Sequence, residues 1–147
     1  MTAIEKSTGF LVVRTARSMK KALDTRLGEV GVTAAQQTVL STLGRDDGLS
    51  LTEIGNRVFL DKPAITGLID RLEQDQLVER RRSSTDRRVI NIFLTPKGRS
   101  LLTRMEEIST QVDEAITGVL SPEELRVFRT CLTKLWESAN GSPSDKV

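Results

Sequence analysis

The chain has no histidine and no tyrosine, a single cysteine (Cys131), four prolines and only 3% aromatic residues. Each scarcity excludes something. Without histidine, the usual general base at neutral pH and the commonest zinc ligand are both missing. One cysteine rules out an intrachain disulfide framework and fits a reducing compartment. No apolar run approaches the ~18 residues that a membrane-crossing helix needs. Met1-Thr2-Ala3-Ile4-Glu5-Lys6 lacks the charged-then-apolar pattern that opens a signal peptide. A cytoplasmic protein is therefore expected. The sequence holds no glycine-rich phosphate loop and no nucleophile beside a base, so neither an enzyme nor a protein with a cofactor or metal is expected.

What is present points elsewhere. A chain of 147 residues, 37% apolar and 29% charged, has room for one domain, or one domain with an oligomerisation element. Its net charge of +2 does not announce a nucleic-acid partner. The location of the charge does: Arg80 to Arg88 contains five arginines and one aspartate. Strand-like runs flank this stretch, from Leu77 to Arg81 and from Val89 to Leu94, so it reads as a two-stranded hairpin with a basic tip. Taken alone, such a run is as easily a solvated loop. The helix just before it shifts the balance.

Helical spacing and capping signals order the rest of the chain. Val12, Ala16, Met19, Leu23, Leu27 and Val30 form one stripe of a long helix that should stop between Gly28 and Gly31. Thr33 to Gln36 and Ser50 to Glu53 have capping-box spacing and open two further helices, separated by a turn over Gly44 to Gly48. A fourth helix begins at Asp61 with Pro63 in its first turn and buries Ile65, Leu68, Ile69 and Leu72. Thr95-Pro96 starts a fifth, with Leu101, Met105, Ile108, Val112, Ile116 and Val119 at helical spacing. Ser121-Pro122-Glu123-Glu124 starts the last, which presents Leu125, Phe128, Leu132, Leu135 and Trp136. The polar tail from Asn140 to Val147 is expected to be disordered.

With the buried stripe of the fourth helix facing inward, its outward face is centred on Pro63, Gly67, Asp70 and Gln74, flanked by Ala64, Thr66 and Arg71. An ordinary solvated face is filled with Lys and Glu; here the first two turns are small or β-branched. Gly67 costs roughly 1 kcal/mol of helix stability relative to alanine. Small residues let a helix approach a duplex closely, and free amides at its N-terminus can meet phosphate. Lys62 suits a phosphate or guanine contact, and Thr66 a base edge or a thymine methyl. Arg71 reaches phosphate. In the hairpin, Arg87 and Arg88 are candidates for minor-groove insertion, with Asp86 holding a neighbouring arginine. Arg80, Arg81 and Arg82 would add phosphate contacts. A helix for the groove followed by a basic hairpin is the layout of a winged helix-turn-helix.

These residues resemble the multiple antibiotic resistance regulator (MarR) family. The resemblance rests on Leu-x-x-x-Gly-x-Thr-x-x-Gln from Leu27 to Gln36, and on Leu68, Leu72, Leu77-Val78 and Arg80. It rests most of all on Asp86-Arg87-Arg88 followed by Leu94-Thr95-Pro96-Lys97-Gly98, and it extends from about Gly9 to Trp136. It implies a mainly α fold with a small β-hairpin wing: a winged helix-turn-helix over 33–95 and a helical dimerisation region formed by residues 1–32 and 96–139. It further implies a homodimer on a pseudo-palindromic DNA operator, acting as a repressor that a small aromatic or phenolic ligand releases. Val12, Ala16, Met19, Leu125, Phe128, Leu132, Leu135 and Trp136 would then be covered by the partner chain. The alternative is a winged-helix interaction module that has lost DNA binding. Two departures stand out. Gln76 occupies a turn position where the family usually has glycine, and the early-helix cysteine of the peroxide-sensing branch is missing. Cys131 is expected to be a packed core or interface thiol.

Overall fold

The computed structural model describes residues 1–141; the expected disorder of 142–147 lies outside the described residues, and Asn140 is helical. The chain divides into two compact units, Met1–Val112 and Asp113–Val147. This is a division by packing and is separate from the functional regions expected at residues 1–32, 33–95 and 96–139. It falls within a helix, because Leu27 and Val32 are buried in the same unit as Met105, Ile108 and Val112.

In the first unit, α1 (Thr8–Leu27) is capped by Ser7, whose side chain accepts from the Phe10 amide. Its expected stripe is buried only at the C-terminal end: Leu27 is fully buried, whereas Val12 and Ala16 are exposed. Val30 falls in a 3-10 turn, Gly28–Val30, rather than in the helix. Asp24 fastens α1 to the next helix, with Oδ1 accepting from the Ala34 amide at 2.6 Å and Oδ2 pairing with Lys20 at 2.8 Å. The amide of Ala34, and after it Lys20, hold this carboxyl below the usual range.

The first two predicted capping boxes form. Thr33 and Gln36 open α2 (Ala34–Arg45), and Ser50 and Glu53 open α3 (Leu51–Val58). The turn expected from Gly44 begins later, because α2 runs through Gly44 and Arg45. Gly44 serves packing instead: a Cβ there would stand 2.8 Å from Leu102 Cδ1. Asp61 caps α4 (Lys62–Gln74), which has Pro63 in its first turn and buries Ile65, Ile69 and Leu72. The strands are β1 (Leu49–Ser50), β2 (Val78–Arg82) and β3 (Ile90–Leu94). They form an antiparallel sheet in the order β1-β3-β2, so the expected two-stranded hairpin gains a third strand. Two residues are too few for a period of two to show in a sequence.

The junction between α4 and the helix after the sheet, α5 (Pro96–Thr117), explains the Leu94-to-Gly98 motif. Gln76 adopts φ of 60°, the left-handed conformation that glycine would take more readily. The carbonyls exposed by this turn find donors in the motif: Thr95 Oγ1 donates to Gln76 O at 2.6 Å, and Lys97 Nζ to Asp75 O at 3.0 Å. Thr95 Oγ1 also accepts from the Gly98 amide, capping α5. Leu77 O accepts from the Thr95 amide at 3.1 Å. Gly98 is buried, and a Cβ on it would lie 2.1 Å from that same carbonyl oxygen.

Val119, expected on the stripe of α5, lies beyond its end and is 87% exposed. In the second unit, α6 (Pro122–Asn140) starts at the predicted Ser121 capping box and has no buried residue. Arg129 pairs with Asp113 at 2.7 Å. Phe128 is 42%, Leu135 50% and Trp136 51% exposed, a large apolar surface for one helix. Cys131 is exposed as well, so it is not a core thiol of the single chain.

Because backbone rather than a flexible side chain blocks the space at Gly98, alanine there must displace α5 from the end of α4. Gly98→Ala is expected to lower stability by about 1–3 kcal/mol, read as a reduced urea midpoint.

Candidate nucleic-acid interface

The helix-turn-helix consists of α3, a turn through Phe59 (φ of 57°) and Leu60, and α4. Burial of Ile65, Ile69 and Leu72 turns Lys62, Pro63, Ala64, Gly67, Asp70, Arg71 and Gln74 outward, and all seven are exposed. The expected small-residue face is therefore open. A Cβ added at Gly67 would meet nothing within 4 Å. Lys62 and Arg71 make no side-chain hydrogen bond or ion pair among the described residues.

Two details differ from the sequence reading. The N-terminal amides of α4 are mostly taken: Asp61 Oδ1 takes the Ala64 amide at 2.9 Å, Asp61 O takes the Ile65 amide, and Pro63 has none, which leaves the Lys62 amide. A carboxylate thus occupies the position an anion would need. Thr66 is half-buried, and its hydroxyl donates to Lys62 O at 2.8 Å, leaving its methyl and lone pairs rather than its proton for a ligand.

The wing arginines separate into distinct roles. Strand register pairs Val78 with Leu94, Arg80 with Ile92, and Arg82 with Ile90, so these side chains share the inner face of the sheet. Arg80 accordingly turns toward α4 and is only 23% exposed, and its Nη2 and Nη1 bind Asp70 Oδ1 and Glu73 Oε1 at 2.5 and 2.8 Å. Burial works against its charge, but the hydrogen bonds to Asp70 and Glu73 prevail and leave its pKa raised. The Arg80 guanidinium, expected to face phosphate, is here engaged by an ion-pair bracket. Arg81, on the outer face, pairs with Glu79 and lies over the Phe93 ring, 4.4 Å from its centroid. Arg82 closes the hairpin by donating to Arg87 O at 2.9 Å.

The tip is what remains exposed. Asp86 holds Arg88 as expected: Oδ1 accepts from its amide at 3.0 Å and from its Nε at 3.1 Å, and Oδ2 accepts from Nη2 at 3.1 Å. The Arg88 side chain and then its amide hold the Asp86 carboxyl below its ordinary pKa. Arg88 nonetheless remains 90% exposed, and the Arg87 guanidinium has no partner among the described residues. These two cations stand at the end of a hairpin fastened to α4 through Arg80.

Sequence reasoning passed over α3. Thr52 and Asn56 are exposed, make no side-chain hydrogen bond among the described residues, and line a cavity of about 200 Å³ with Lys62 and Asp61 between the starts of α3 and α4. The first helix of such a motif crosses the DNA backbone. The available signal was the polar side of the Leu51, Ile54, Val58 stripe.

Alanine fits at Gly67 without a clash, so Gly67→Ala should raise stability by about 0.5–1 kcal/mol through helix propensity alone. If that face lies against base edges, the added methyl should weaken binding to duplex DNA on the order of tenfold, within the 1–3 kcal/mol carried by a base contact. A stabilised protein with unaltered affinity would remove this face from the interface.

Comparison with known proteins agrees with this geometry. A sequence model of the MarR family matches residues 32–90. The chain is 38% identical over 104 residues to the HTH-type transcriptional regulator TtmR of Methylorubrum extorquens, spanning 71% of this chain and about half (53%) of TtmR. It is 32% identical over 134 residues to the HTH-type transcriptional regulator MhqR of Bacillus subtilis, covering 89% of this chain and 92% of MhqR. Among solved structures, the Staphylococcus aureus MepR–DNA complex matches with a TM-score of 0.82 at 27% identity, over 90% of this chain and 98% of that one. Bordetella bronchiseptica BpsR, whose DNA binding is regulated by 6-hydroxynicotinic acid, matches with a TM-score of 0.85 at 26% identity, over 93% and 98%. The chain, with its winged helix-turn-helix and near full-length similarity to MhqR, belongs to the MarR family of transcriptional regulators.

Proposed function

We propose that this regulator works as a homodimeric cytoplasmic repressor that places one α4 in each half of a pseudo-palindromic operator and is released by a small aromatic or phenolic anion. The observation that carries the DNA-binding part is the pairing of an open, small-residue α4 with two exposed arginines, Arg87 and the Asp86-held Arg88, at the tip of a wing anchored to that helix. Lys62, Pro63, Ala64, Thr66 and Gly67 approach base edges, with Arg71, Arg81 and Arg82 nearer the backbone. Arg87 and Arg88 enter the flanking minor groove. Thr52 and Asn56 meet phosphate from α3.

The dimer reading is supported by the exposure of apolar residues on α1 and α6. Val12, Ala16, Phe128, Leu135 and Trp136 are all exposed, and Met19, Leu125 and Leu132 are half-buried. A partner chain covering such faces accounts for their composition, and it would place Cys131 in or beside the interface.

Two observations support release by a ligand. BpsR responds to an aromatic acid. In this chain, a cleft of about 480 Å³ between α2 and α5, lined by Gln37, Ser41, Arg45, Leu102, Glu106 and Ser109, has the size for such a ligand and offers one cation, Arg45, beside one carboxylate, Glu106.

Duplexes enriched from a randomised library on this protein should converge on an inverted repeat. On the enriched duplex, replacing both Arg87 and Arg88 with alanine should lower affinity at least about tenfold and reduce the log-log salt slope by about two. Failure to enrich any duplex, or an unchanged slope, would favour the interaction module. Sedimentation at micromolar concentration should give twice the chain mass; a monomer would remove the dimer from this reading.

A further inference from the structure

α4 carries two cations, Lys62 and Arg71, and two anions, Asp70 and Glu73, and its caps add Asp61 and Asp75. The helix meant to lie against polyphosphate therefore brings no net positive charge and, with its caps, is acidic, and Asp70 sits at the centre of its outward face. The compensation comes from β2, where period-two alternation puts Arg80 on the same face as buried Val78 and aims it at α4. Asp70 and Glu73 are three residues apart, hence neighbours on one side of the helix. One guanidinium reaches both, and the Arg80 amide also donates to Glu73 Oε2 at 3.3 Å.

We propose that Arg80 is a positioning residue for DNA binding: it neutralises Asp70 and Glu73 beneath the approaching phosphates and fixes the wing tip relative to α4, without itself contacting DNA. The proposal rests on the reading that α4 docks in a groove. It sets Arg80 apart from the other four wing arginines, and the geometry gives the reason. Its planar fork is filled by two carboxylates from the helix, while Arg87 and Arg88 extend from the far end of the hairpin. Fixing the wing limits the conformational freedom lost on binding, so the tip arginines reach the duplex already spaced from the helix.

The test separates positioning from direct contact. Arg80→Met keeps an apolar stem beside Val78 and removes the charge; Asp70→Asn with Glu73→Gln removes the carboxylates it offsets. On the enriched duplex, Arg80→Met is expected to weaken binding on the order of tenfold. The triple variant Arg80→Met, Asp70→Asn, Glu73→Gln should restore the salt slope and recover part of the lost affinity, the remainder reflecting the untied wing. If Arg80 held a phosphate, the slope of the triple variant would stay lower by about one; that result overturns the proposal. Thermal midpoints establish that each variant is folded.

A second measurement needs no DNA. Amide hydrogen exchange of residues 78–82 and 90–94 should accelerate in Arg80→Met, because the wing loses its tie to α4. Unchanged exchange overturns the wing-fixing role even if the protein were found to bind no duplex at all, whereas faster exchange without DNA binding would leave the bracket standing and remove the reading on which its purpose depends.

Discussion

Four elements meet at the carbonyl of Leu77. It follows the left-handed turn at Gln76, accepts the Thr95 amide, and lies where a side chain at Gly98 would have to be. That single close approach joins the end of α4, the start of β2, the end of β3 and the first turn of α5. The placement of α4 and the wing follows from it. A backbone carbonyl cannot give way as a flexible side chain can, so the constraint is stiff. The hydroxyl of Thr95 and the ammonium of Lys97 take the neighbouring carbonyls of Gln76 and Asp75 that the turn would otherwise leave unsatisfied.

From this junction the wing inherits its register, and the register sorts its charge. Neighbouring arginines in one strand point to opposite faces of the sheet: Arg80 goes inward to Asp70 and Glu73, and Arg81 outward over Phe93. The two most open cations of the wing are at the tip, Arg87 without an ion-pair partner among the described residues and Arg88 held by Asp86 yet 90% exposed. A chain with a net charge of only +2 can in this way present a locally positive edge. The opposite ends of the chain carry a different demand. Val12 on α1 and Phe128, Leu135 and Trp136 on α6 remain exposed in the described chain, an apolar surface that single-chain packing does not use.

Local signals were the most legible part of the sequence. Three capping boxes, Asp61 with Pro63, and Thr95 with Pro96 all mark helix starts where the structure has them, because a cap is a bargain among residues three apart and needs no tertiary partner. The buried stripe of α4 and the basic hairpin were equally readable from spacing. Glycine was the ambiguous letter. Gly44 looks like a turn residue and is a packing residue inside α2, since nothing local announces Leu102. The final reach of α5 was overread at Val119 for the same reason: an apolar residue at the right spacing does not reveal whether the helix still exists there.

The sequence by itself determined where the helices begin, which face of α4 is apolar, and that five arginines cluster in one hairpin, because each depends on spacings within a few residues. Only the tertiary structure decided what those arginines do. Whether Arg80 faces a phosphate or a carboxylate depends on the pairing of β2 with β3 and on the approach of α4, both contacts between distant parts of the chain. The two-residue strand β1 and the exposure of Cys131 were hidden for the same physical reason: each is set by partners in space, not by neighbours in sequence.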